Sequence, residues 1–141
     1  MASPKKTKQA SQISKGIIGL GLIGGGYRGF CQAQTISMDS NLEGLIVSIP
    51  LLGAGALGFI MQAGVKEEYL ESAERGLEPK IEEARLRAIE KGKNPKNAMD
   101  YEANMLSTRG FVMGAFFGGI LGAISSAAGY GVGYSLGYLT R

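Results

Sequence analysis

Three stretches of this chain are apolar and nearly free of charge, and one is densely charged. The apolar stretches run from Lys15 to about Thr35, from Leu42 to about Val65, and from Arg109 to Thr140. Each reaches the roughly 20 residues that a helix needs to cross a bilayer. The last is the most regular. No charged residue stands between Arg109 and Arg141, while Gly110, Gly114, Gly118 and Gly122 recur at every fourth position, as do Gly129, Gly133 and Gly137. Residues four apart share one face of a helix, so this face is nearly bare backbone. Ala115, Gly119, Ala123 and Ala127 form a second small row beside it. Gly21, Gly25, Gly29 and Ala33 repeat the spacing in the first stretch. In water each such glycine costs a helix about 1 kcal/mol relative to alanine. In lipid the backbone must bond to itself, and small residues at this spacing let helices approach closely.

The pattern predicts an all-α integral membrane bundle of three spans, held by a glycine zipper. Its parts are a basic disordered tail over residues 1–14, a transmembrane hairpin over 15–65, a charged helical region over 66–108, and a long glycine-rich span over 109–141. As one helix that span would be about 48 Å long, against about 30 Å of hydrocarbon. A break at Ser125-Ser126 would make four spans; one long helix with Tyr130, Tyr134 and Tyr138 at the interface is preferred. Pro50 predicts a kink in the second span. Pro79 opens a helix in the charged region, with Glu83 and Arg87 paired four apart, and Asn97 is positioned to cap the next.

Charge sets the orientation. Ten of the twelve acidic residues, and eight of the fifteen basic ones, lie from Lys66 up to but excluding Arg109. The N-terminal tail together with Lys15 carries four lysines, and the turn from Ile36 to Asn41 carries none. Positive-inside counting therefore places the N-terminus and residues 66–108 in the cytoplasm. The net charge of +3 is small and without aromatic–basic interleaving, which argues against a nucleic-acid partner. With no histidine and one cysteine, neither a metal site nor a disulfide is expected.

Gly19-x-Gly21-x-x-Gly24, with Asp39 further on, resembles the dinucleotide fingerprint of Rossmann dehydrogenases. That resemblance implies a soluble nucleotide-binding domain. The surrounding residues oppose it: the following helix would hold Gly24, Gly25, Gly26 and Gly29, no apolar strand leads to Asp39, and strands do not alternate with helices downstream. The same run is similar to the first helix of rotary ATPase proteolipids, but the carboxylate those carry in mid second helix is absent; Gln62 and Glu43 stand near the ends.

Arg28 is the one charge well inside an apolar stretch, and Glu43, across the turn, is its expected partner. The pair reads as a structural clasp or as a contact for an ion or substrate. No paired carboxylates, activated nucleophile or phosphate loop is present, so catalysis and cofactors are not expected. The expected partners are the lipid bilayer and other membrane subunits, including copies of this chain, met through Gly21, Gly25 and Gly29 and the glycines of the last stretch. The expected role is structural or in assembly. The alternatives are a pore or transporter with Arg28 and Pro50 along its path, and the soluble dinucleotide-binding domain.

Overall fold

A computed structural model describes residues 4–141. Among them are six helices and no strand: α1 (Pro4–Ala33), α2 (Ser40–Val47), α3 (Ile49–Glu74), α4 (Pro79–Glu90), α5 (Pro95–Leu106) and α6 (Thr108–Leu139). Two of them, α3 and α6, are long and apolar enough to cross a membrane. α1 is long enough but is not among them by the same measure.

α1, α3 and α6 form a shaft. Gly129 of α6 rests on Leu22 of α1, Gly133 on Gly26, and Gly137 on Phe30, so the two helices run parallel. Gly110 meets Met61 of α3, Gly114 meets Leu57, and Gly118 meets Gly53, so α3 runs antiparallel to both. α6 is one unbroken helix of 32 residues. Its first half is seated on α3 and its second half on α1.

The second apolar segment is not a single kinked helix. It is divided at Ser48 into α2 and α3, with Pro50 in the first turn of α3. Proline has no N–H, and its ring crowds the carbonyl four residues back. α2 is started separately by Asp39, whose carboxylate accepts from the backbone N–H of Asn41 (2.9 Å) and Leu42 (3.2 Å). α2 then packs on α1 and α3 instead of along α6.

The N-terminal tail also departs from expectation. From Pro4 onward it is helical and continuous with α1; residues 1–3 lie outside the described residues. It lies beside the far half of α3, with Lys6 Nζ 3.9 Å from Glu67 Oε1. That company supplies what an isolated lysine-rich segment lacks.

At this end α4 and α5 fold as a hairpin over the end of α3. Ile81, Ala73 and Ala103 form its core, flanked by Tyr69, Leu70, Met99 and Leu106. Ile81 and Ala103 are fully buried. Glu82 binds Arg85 and Glu83 binds Arg87 along the outside of α4. Asn94, not Asn97, caps α5: its Oδ1 accepts from Lys96 N–H at 3.0 Å. Pro95 holds the first helical position, where its missing N–H costs nothing, and Asn97 falls inside the helix.

α1, α3 and α4 end alike. Behind α3 and α4, Gly76 (φ 72°) and Gly92 (φ 64°) adopt the left-handed conformation. The next residue then donates five back, Leu77 to Ser72 and Lys93 to Ala88. Behind α1 the same position is taken by Thr35 (φ 55°), with Ile36 donating to Cys31 at 2.8 Å.

Candidate functional site

The glycine seats decide where the other side chains of the shaft stand. Gly21, Gly25, Gly29, Gly110, Gly114, Gly118, Gly122, Gly129, Gly133 and Gly137 are all buried. At each, a side chain would collide with a neighbouring helix. A Cβ on Gly53 would lie 2.8 Å from the Gly118 carbonyl oxygen, and one on Gly122 would lie 2.7 Å from Pro50 Cα. Cβ positions on Gly25, Gly29 and Gly133 would overlap the carbonyls of Ser126, Tyr130 and Gly26.

Ser125 is the residue that spacing alone missed. It is buried and continues the row between Gly122 and Gly129, three residues after one and four before the other. Its hydroxyl donates to the Gly122 carbonyl at 3.2 Å, keeping the polar atom within its own helix. Steps of four drift around a helix by about 40°, and a step of three turns back by about 60°. The row therefore passes from α3 to α1 without a break in α6. The change in spacing is visible in the sequence, but Ser125 there reads as a break in the row.

The second small row behaves differently. Ala115 and Gly119 are half-buried, whereas Ala123 and Ala127 are exposed. These two line a cavity of 530 Å³ between α6, α1 and the departing α2. Its lining joins Pro50, Ile46 and Ala123 with the polar residues Arg28, Gln32, Ser126 and Tyr130. Arg28 Nη2 stands 3.5 Å from Glu43 Oε1, so the structure brings the anticipated pair together across the α1–α2 turn. Both side chains remain nearly half exposed. Tyr130 Oη donates to Gln32 Oε1 at 2.5 Å, and the Tyr130 ring stacks on Tyr134. The Ser126 hydroxyl is buried without a hydrogen-bond partner. Beyond the cavity, Gln34 Nε2 donates to the Gly137 carbonyl (2.7 Å) and ties the ends of α1 and α6.

The chain matches no family model, no curated protein and no solved structure. The dinucleotide reading does not survive the geometry. Gly19, Gly21 and Gly24 all lie inside α1, and no strand precedes them among the described residues. The fingerprint works only at a strand-to-helix turn, where the helix N-terminus faces the pyrophosphate.

Proposed function

We propose that this is a multi-span membrane protein whose three shaft helices cross the bilayer, and that it serves as a structural or assembly subunit. The carrying observation is that the shaft is inside out. Its contact faces are glycine, while Leu51, Phe59, Phe116 and Ile124 point outward with 63–75% of their surface exposed. Only 28% and 22% of the most apolar stretches of α3 and α6 are buried. A core helix of a soluble protein has the reverse arrangement. Exposed apolar faces of this extent need lipid or a partner.

α1 supplies the third crossing because it is seated along α6 by backbone contacts. The lysine-bearing start of α1 and the α4–α5 hairpin share one end, which fits a cytoplasmic location. The outer faces offer room for other membrane subunits or copies of this chain.

The test is flotation after carbonate washing, with Ile124→Asp as the probe. The native chain floats with lipid. The variant inserts poorly, because a central aspartate costs about 3 kcal/mol on insertion. A native chain that stays in the aqueous phase overturns the membrane reading.

A transport role draws on one observation: Arg28 and Pro50 line the same cavity. Ion flux in proteoliposomes separates the two readings. The subunit reading expects no selective conductance; a reproducible one that Arg28→Gln alters would replace it.

A further inference from the structure

The geometry points to the cavity between α1, α2 and α6 as a binding site for one phosphate-bearing lipid, headgroup at Arg28 and acyl chain along Ala127 and Ala123. The inference rests on the membrane reading, and three features carry it.

First, the polar groups left unspent on the wall are donors. The Arg28 guanidinium has five N–H groups and, among the described residues, makes one ion pair, with Glu43 at 3.5 Å. Gln32 lines the site and uses its carbonyl oxygen to accept from Tyr130, which leaves its NH₂ group without a partner among the described residues. The Ser126 hydroxyl is buried and unpartnered. A phosphate offers only acceptors, and charge-assisted bonds from arginine suit it. The nearby acids are committed: Glu43 to Arg28, and Asp39 to the N-terminus of α2.

Second, the site is graded. From Tyr130 to Ala123 the α6 wall descends seven residues, about 10 Å, from polar to apolar. Free phosphate has no use for the apolar depth, whereas an acyl chain does.

Third, the size and place fit. The volume of 530 Å³ lies within the range of small-molecule sites. The cavity exists because α2 leaves α6 at the Ser48 break. It sits at the end of the shaft away from the charged hairpin, where Tyr134 and Tyr138 are also exposed.

The full chain, purified in a neutral detergent, is titrated with short-chain phosphatidic acid, with diacylglycerol of the same chains, and with inorganic phosphate. Bound ligand is counted by native mass spectrometry. Phosphatidic acid binds at one per chain, about tenfold more tightly than diacylglycerol. Inorganic phosphate does not displace it. The double variant Arg28→Gln/Glu43→Gln, neutral overall and checked for native helix content, loses the preference. Ala127→Leu, which fills the cavity without touching charge, weakens both lipids. Equal binding of the two lipids, an unchanged preference in the double variant, indifference to Ala127→Leu, or displacement by inorganic phosphate would each overturn the site. The membrane reading fails separately: a chain released by carbonate that still shows the Arg28-dependent preference keeps the site and loses the bilayer.

Discussion

The two ends of this molecule follow opposite rules of burial. In the α4–α5 hairpin the centre is a large apolar residue, Ile81, and the outside carries Glu82, Glu83, Arg85 and Arg87. In the shaft the centre is glycine and the outside is leucine, isoleucine and phenylalanine. The hairpin gains from removing carbon from water. The shaft gains chiefly from bringing backbone against backbone, with only a few larger side chains such as Ile17, Ile49 and Leu57 buried. One chain switches from one rule to the other within a few residues of Ser107, which is itself fully buried and whose hydroxyl donates to the Asn104 carbonyl (2.9 Å). On the membrane reading proposed above, each rule suits its own solvent, water at the hairpin and lipid along the shaft.

The contrast can be broken at both ends. Ile81→Ala removes the hairpin's central side chain and should cost about 4 kcal/mol. Thermal melting in detergent would read it, with loss confined to the hairpin by hydrogen exchange. A cost no larger than that of an outward residue would mean the hairpin has no core. Gly133→Leu should cost about 3 kcal/mol, because the added side chain meets the Gly26 backbone. Its control is Gly131→Ala, where nothing lies within 4 Å. That change should be neutral or should stabilise by up to about 1 kcal/mol. If both glycine variants melted alike, close contact would not be what holds the shaft.

Smaller effects sharpen the picture. Thr35 holds a left-handed position that Gly76 and Gly92 fill at the ends of the other helices. Thr35→Gly should therefore raise stability by about 1 kcal/mol, seen as an upward shift in Tm. An unchanged or lowered Tm would show that the threonine is not strained. Last, the Arg85 guanidinium hydrogen-bonds the Glu82 carboxylate and holds its pKa below the ordinary value, while raising its own. Because the folded-state value is depressed, the contribution is present above the ordinary carboxylate pKa. It is lost as pH falls through the depressed one. Carboxyl NMR should show Glu82 returning to the ordinary range in Arg85→Ala, with little change in stability, since the pair is solvent-exposed.

Much of this fold could be read from residue spacing. Four-residue glycine rows identify contact faces because only glycine leaves the backbone uncovered. Pro79 announces a helix start because proline suits the first turn. What stayed hidden depends on partners. Whether the lysine-rich tail is helical depends on the α3 surface beside it. Whether Pro50 bends or divides its segment depends on Asp39 starting a second helix just upstream. The cavity was hidden for the same reason: Ala123 and Ala127 look like further contact positions until α2 is seen to leave them uncovered. Arg28 and Glu43 could be paired in advance because a short turn leaves a lone charge few places to go.

The glycine rows also dictate how the shaft can move. A shift of α6 by one or two residues would drive a phenylalanine or an isoleucine into a neighbour's carbonyls. A shift of four, about 6 Å along, would restore glycine within each row, but the three-residue step at Ser125 breaks the register: Ser126 would come to the Gly122 seat against Pro50, or Leu121 to the Ser125 seat against Gly21. That one odd step acts as a key in its slot, fixing the axial position of α6 where a uniform row would allow it to slip by a turn.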